Sequence, residues 1–201
     1  DPDETNGHGK TVYSMDIRHD SEVLATASRD RTIKLWDCSS GRLLATLQGH
    51  TNFVFKVAIH PTEMICATAS HDWSIRIWST LSGECLQVIS RDTEPESSSE
   101  DPEFHHNAEV SAVAFHPDGH ILASGSYDQS IILYMRQDDE QLWVACHVLS
   151  NHKERVWDIA FSFGGEYLAT GAWDNAVHVY RVDKLEMELQ SADAETPKSC
   201  D

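Results

Sequence analysis

Long apolar runs are missing from this sequence: stretches such as VAIH and AVAFH last only a few residues, far short of the roughly 20 that span a bilayer. A soluble chain with no membrane partner is expected. Paired cysteines are missing too. Cys38, Cys66, Cys85, Cys146 and Cys200 form no CxxC unit and no even set, so neither a disulfide framework nor a zinc site is implied, and a reducing intracellular location, cytoplasmic or nuclear, is expected. Basic charge is scarce, with 15 Lys and Arg against 33 Asp and Glu and a net charge of −18. Phosphate neutralisation needs a basic stripe, so no nucleic-acid partner is expected. No charged, apolar and small-residue cleavage pattern opens the chain, so secretion is not expected, and the first residue is Asp1 rather than Met, which leads us to expect a fragment or a processed product.

The acid is unevenly spread. Residues 8–90 balance eight acids with eight bases, whereas residues 1–7, 91–103 and 183–201 carry −3, −5 and −4. Much of the excess therefore lies outside the regular part of the chain, where it favours solubility and steers basic protein segments toward it.

That regular part repeats. His8, His50, His106 and His152 anchor four units. Four residues after each comes Val12, Val54, Val110 or Val156, and twenty-two residues after each comes Asp30, Asp72, Asp128 or Asp174. Each aspartate is followed six residues later by an aromatic, Trp36, Trp78, Tyr134 or Tyr180, and preceded by four residues by a hydroxyl, Thr26, Thr68, Ser124 or Thr170. Self-similarity at this period marks a repeat architecture. Between the anchors the apolar pattern has period two, as in VYSMDI, EVLATAS and TIKLW, which reads as short strands. HDSE, HPDGH and SFGGE supply the turns, and RLLATL, ECLQVI, QLWVACHV and KLEMEL each offer a fourth strand, so each unit is expected to be a four-stranded antiparallel sheet.

The segment GH…LATASRDRTIKLWD resembles the WD repeat, and the resemblance extends over residues 7–182. It implies an all-β fold, a β-propeller of four-stranded antiparallel blades around a channel. Repeats are expected at 7–48, 49–90, 104–150 and 151–190. An acidic extension (1–6), a disordered serine-rich acidic insertion (91–103) and a disordered tail (191–201) complete the chain. Trp36-Asp37 becomes Trp-Ser, Tyr-Met and Tyr-Arg in later units, but the spacing survives. WD propellers commonly close with seven blades, so these four are expected to be about half of a larger ring.

The resemblance also implies that each Asp bonds its His, the His its Ser or Thr, and that hydroxyl the aromatic, giving four structural networks from the sixteen residues named above. A buried imidazole and carboxylate each need such partners. A hydrolase triad is the competing reading of Ser/Thr, His and Asp, but three of the four hydroxyls are Thr and the set recurs in every unit, so no catalytic residue is expected. His116 and His120 flank a turn, and His105 and His106 are adjacent, without carboxylate or cysteine company at ligand spacing; no metal and no cofactor is expected.

In the family the narrow rim is lined by the residues three and five after the His and the one before the Asp. Carried over, these are Thr11, Tyr13 and Arg29, then Phe53, Phe55 and His71, then Glu109, Ser111 and Tyr127, then Arg155, Trp157 and Trp173. Tyr13, Arg29, Phe53, Phe55, His71, Tyr127, Arg155, Trp157 and Trp173 form the expected partner-binding set, rich in the types that concentrate binding energy. Phe55 and Trp157 could equally pack between blades. Ser97 and Ser98, each with an acid three residues on, resemble an acidophilic kinase site. Function is therefore expected to be that of a non-enzymatic protein-interaction scaffold or adaptor. Its partners would be other proteins, basic or peptide-like segments among them, within a larger multi-subunit assembly. The alternative is the substrate-recognition subunit of a ubiquitin ligase, although WDCS at 36–39 lacks the arginine that many such receptors carry after a blade.

Overall fold

The structure, a computed structural model, describes residues 6–18, 20, 22–91, 104–137 and 142–182. The alternating segments pair into antiparallel sheets in simple chain order. The first holds β1 (Val12–Ile17), β2 (Val23–Ser28), β3 (Thr32–Asp37) and β4 (Leu43–Gln48). The second holds β5 (Val54–Ile59), β6 (Ile65–Ser70), β7 (Ile75–Ser79) and β8 (Cys85–Ile89). The third holds β9 (Val110–Phe115), β10 (Ile121–Ser126), β11 (Ile131–Arg136) and β12 (Trp143–Leu149). The fourth shows β13 (Val156–Phe161), β14 (Tyr167–Ala172) and β15 (Val177–Arg181). The KLEMEL strand expected to complete it lies outside the described residues, as do residues 1–5 of the acidic extension, Ser97, Ser98, nearly all of the insertion and the tail. Among the described residues no helix is long and apolar enough to cross a membrane.

Each sheet is a blade of a β-propeller, and β1, β5, β9 and β13 lie side by side as its inner strands. The core is formed between blades rather than within them. Ala25, Ala27, Ile33 and Leu35 of the first meet Val54, Val57 and Ile59 of the second. Ala67, Ala69, Ile75 and Ile77 of the second meet Val110 and Val113 of the third. Ala123, Ile131 and Leu133 of the third meet Val156 and Ile159 of the fourth. A middle strand covered on both sides has no outward residue, which is why β6, ICATAS, is buried along its whole length. Each fully buried Ile or Leu contributes about 1.5–3 kcal/mol.

Polar links add register to this apolar contact. The Gln87 amide donates to Trp143 O and accepts from Trp143 N, both at 2.8 Å, and Asp16 Oδ2 accepts from Ile59 N at 2.7 Å. At the turns between the first and second strands of the blades, His60 Nε2 lies 2.9 Å from Gly119 O in the next blade, and His116 Nε2 lies 3.0 Å from Gly165 O in the one after. Both glycines have positive φ, +85° and +77°, and a Cβ on either would fall within 2.5 Å of the histidine ring, so glycine is required twice over.

Candidate functional site

The turn between the second and third strands of each blade is built by its aspartate. Asp72 Oδ1 accepts from Ser74 N and Oγ at 3.1 and 2.6 Å, while Oδ2 accepts from Thr51 N at 2.9 Å and meets His50 Nδ1 at 2.8 Å. The residue after each aspartate, Arg31, Trp73, Gln129 or Asn175, sits at positive φ, a conformation that these bonds hold in place. Burial works to raise the Asp72 and Asp128 carboxyls, but their histidines and hydroxyls outweigh it and hold both below the ordinary carboxylate range. Asp30, raised by burial but lowered more by Thr32, His8 and Gly9, comes to about 2.

With Asp72 ionised, His50 Nδ1 carries the proton it donates, and Nε2, 2.7 Å from Thr68 Oγ1, accepts the hydroxyl proton. The Trp78 indole N–H then donates to the same Thr68 oxygen at 2.8 Å. The first blade repeats this with His8, Asp30, Thr26 and Trp36 at 2.8–2.9 Å. In the third, His106 lies 3.1 Å from Asp128 and 2.6 Å from Ser124, whose oxygen is 3.3 Å from Tyr134 Oη. In the fourth, His152 meets Asp174 at 2.9 Å and Thr170 at 2.8 Å. The pKa of the Tyr180 hydroxyl there is raised by burial and lowered in part by contact with Thr170, beside which it stands without a hydrogen bond of ordinary geometry. All four hydroxyls are buried beneath their sheets, where each is engaged by an imidazole.

The other product of the turn is a set of side chains at one end of the channel. Each residue before the aspartate donates its N–H to the residue three after the histidine: Arg29 to Thr11, His71 to Phe53, Tyr127 to Glu109 and Trp173 to Arg155, at 2.8–3.0 Å. Each inner strand carries a bulge at the residue five after the histidine, so that Tyr13, Phe55, Ser111 and Trp157 are skipped by the pairing with the second strand. A bulge re-aims the side chain it frees.

All nine residues of the expected rim set come together. Tyr13 and Phe55 ring centroids are 5.4 Å apart, Phe55 and Tyr127 6.1 Å, Tyr127 and Trp157 6.4 Å and stacked, and Trp157 and Trp173 5.9 Å. His71 touches Phe53 and Phe55, each at 5.7 Å. Arg29 lies 5.0 Å over Phe53, and Arg155 lies over both Tyr127 (4.8 Å) and Trp173 (5.4 Å). Arg29, Tyr13, Trp157 and Trp173 are exposed, whereas Phe53, Phe55, His71 and Tyr127 are half-buried. Below the rings a cavity of roughly 230 Å³ opens among Tyr13, Phe55, Trp157 and the Lys56–Asp158 pair, which joins the second blade to the fourth at 2.8 Å.

The three remaining carried-over positions divide. Thr11 is exposed. Glu109 lies 3.4 Å from His71. Ser111 is buried, and its single hydroxyl proton is shared between Val156 O at 2.6 Å and Gly125 O at 3.0 Å, which makes it a clamp between blades instead of a rim residue, because a small hydroxyl freed by the bulge turns to the nearest carbonyls. His152, Asp174 and His178 place ligand atoms within 4.8 Å of one another, but both His152 nitrogens are already engaged by Asp174 and Thr170. Neither the latches formed by His60 on Gly119 O and His116 on Gly165 O nor the Lys56–Asp158 pair is among the residues expected from the sequence. The latches had a signal: His60-Pro61 and His116-Pro117 recur at the same interval as His50 and His106.

Four segments of the chain, residues 3–37, 41–79, 102–134 and 143–181, match the family model described as WD domain, G-beta repeat. A 43-residue stretch is 40% identical to eukaryotic translation initiation factor 3 subunit I of Danio rerio, covering 21% of this chain and 13% of that protein. The Neurospora crassa protein of the same name is 42% identical over 41 residues, 20% of this chain and 12% of that one. Zinc finger CCCH domain-containing protein 48 of Arabidopsis thaliana is 40% identical over 42 residues, covering 21% of this chain and 10% of its own length. These matches thus span only 10–13% of the relatives' length.

Proposed function

This chain belongs to the WD-repeat family, and from that premise we propose that it is a non-enzymatic scaffold that holds another protein on its aromatic and arginine rim. The observation that carries the reading is the continuity of the rim. Rings and guanidinium planes from all four blades touch in sequence from Tyr13 to Trp173. Such a surface desolvates a large area at little cost in side-chain entropy, because the rings and arginines already fix one another. The Ser/Thr, His and Asp sets support the same reading. Each hydroxyl is buried and engaged on its own imidazole, which leaves no room for a substrate carbonyl.

An extended peptide segment suits this rim better than a broad flat face, because the rings descend into the channel cavity and can close around a side chain. The excess of acid over the whole chain favours a basic segment as the partner. The name of the initiation-factor relative marks that protein as a subunit, and we propose that this chain too acts within an assembly. No observation favours the ubiquitin-ligase alternative.

Panning a random peptide display library on the intact chain tests the proposal. Enriched peptides should bind Phe53→Ala and Trp173→Ala variants at least about tenfold more weakly, the loss of a hot-spot residue. Peptides that bind these variants as well as the parent chain, or a library that yields no enrichment, would overturn it.

A further inference from the structure

The fourth blade departs from the other three around its histidine. In those three the residue two after the aspartate carries a hydroxyl, Thr32, Ser74 or Ser130. It donates to the aspartate Oδ1 at 2.6 Å and stands 3.0–3.4 Å from the histidine Nδ1. The fourth blade has Ala176 there, and among the described residues Asp174 Oδ1 accepts only the Ala176 N–H, at 2.9 Å. One of its lone pairs is thereby left without a donor.

A second departure lies two residues further along the third strand. Lys34, Arg76 and Ile132 occupy that position in the first three blades, opposite Thr26, Thr68 and Ser124. An ammonium, a guanidinium and a hydrocarbon have no lone pair to give a metal ion. The fourth blade has His178, opposite Thr170. Its half-buried ring meets that of His152 edge-on, with centroids 4.5 Å apart, and its nitrogens hydrogen-bond to none of the described residues. One ligand atom each of His152, Asp174 and His178 lies within 4.8 Å of the other two, and no other such trio of His, Cys, Asp or Glu is found among the described residues.

We propose that His152, Asp174 and His178 bind a zinc ion, with water completing the tetrahedron. Two imidazoles and a carboxylate suit zinc, whereas magnesium and calcium take oxygen ligands. The bonds that already hold His152 do not close the site. Its Nδ1 bond runs to Asp174 Oδ2 itself, at 2.9 Å, so the ion takes the place of the proton between them. Ligand atoms about 2.0–2.1 Å from zinc at tetrahedral angles stand roughly 3.3 Å apart, and the pair therefore opens by only a few tenths of an ångström. The ring proton moves from Nδ1 to Nε2, which then donates to Thr170 Oγ1, 2.8 Å away. Thr170 turns its own proton toward the Tyr180 hydroxyl, which stands beside it without a hydrogen bond of ordinary geometry. An outer hydrogen bond of this kind fixes the tautomer and orientation of a metal-bound histidine. The site is independent of what binds the rim.

Calorimetric titration of the full chain with zinc, after removal of metal by a chelator, tests the proposal. One ion per chain is expected, with a Tm that rises in zinc and not in magnesium. Cobalt in place of zinc should show the visible absorption of a tetrahedral site. His178→Ile gives the fourth blade the residue type that the third carries at the same position as Ile132. It should fold as the parent does in metal-free buffer and lose the uptake. Ala176→Ser restores the hydroxyl of the other blades to compete for Asp174, and should weaken zinc binding by roughly tenfold. A chain that takes up no zinc would overturn the proposal. So would uptake that both His178→Ile and Ala176→Ser leave unchanged, which would place the ion on other histidines.

Discussion

His60 reaches out of the second blade to place Nε2 2.9 Å from the carbonyl oxygen of Gly119 in the third, while its Nδ1 accepts from Glu63 N at 3.0 Å. One ring thus ties its own turn to the neighbouring one, and the next blade repeats the arrangement through His116 and Gly165. The latch stands at the end of the blades opposite the rim, so the two ends of the channel are held by different chemistry.

Replacing Gly119 by alanine forces a side chain into left-handed backbone and onto the His60 ring. We expect a loss of about 2–3 kcal/mol, from roughly 1 kcal/mol of backbone strain and the latch hydrogen bond. Urea denaturation followed by fluorescence measures it, and a loss within experimental error would show that the latch contributes nothing.

Thr68→Val keeps the shape of a side chain that serves both His50 and Trp78, but leaves the imidazole Nε2 and the indole N–H without partners. A loss of roughly 2–4 kcal/mol is expected. Thr170→Val should cost about half as much, because the Tyr180 hydroxyl beside Thr170 lacks a hydrogen bond of ordinary geometry in the fourth blade. Equal losses in the two denaturation curves would contradict this account of the networks.

Acid should weaken the fold in two windows. Burial lowers the proton affinity of His50 and His60 below the ordinary 6.5. As the pH falls through that value the unfolded chain takes up protons that the folded chain refuses, and stability drops. Asp30, held at about 2 against an ordinary 3.8, adds a second drop between those values. The urea midpoint should be lower at pH 5.5 than at pH 7.5, and His60→Gln, which keeps a donor for Gly119 but does not titrate, should narrow the difference. An unchanged difference would remove His60 from the first window.

Arg155 lies over two rings at once, and a lysine cannot cover both with a planar group. Arg155→Lys should weaken binding of rim-selected peptides by roughly three- to tenfold while leaving the urea midpoint in place. If peptide affinity is unchanged, the guanidinium is packing for the rim and takes no part in recognition.

Much of this was legible in the residues alone. The fixed offsets from His8, His50, His106 and His152 specified four units, because a buried imidazole can be satisfied only by partners at set places in the sheet. Alternation in VYSMDI and TIKLW specified strands, since a period of two puts one face against a neighbour. The rim positions could be named by carrying the family's rim over onto the matching offsets. That they form one connected surface could not, because it depends on bulges at Tyr13, Phe55, Ser111 and Trp157, and a bulge is a misfit between two strands with no residue type of its own. Ser111 shows the consequence, since the same bulge that frees a tryptophan in one blade turns a serine inward in another. The latches of His60 and His116 leave a trace in the recurring His-Pro pairs, but their partners, like the Lys56–Asp158 pair, depend on how blades sit beside or across from one another. The residues alone specified the identity and order of the strands, because those rest on patterns close along the chain, and the family resemblance supplied the network inside each blade. Which side chains meet between blades is settled only in three dimensions, because those contacts join residues that sequence distance keeps apart.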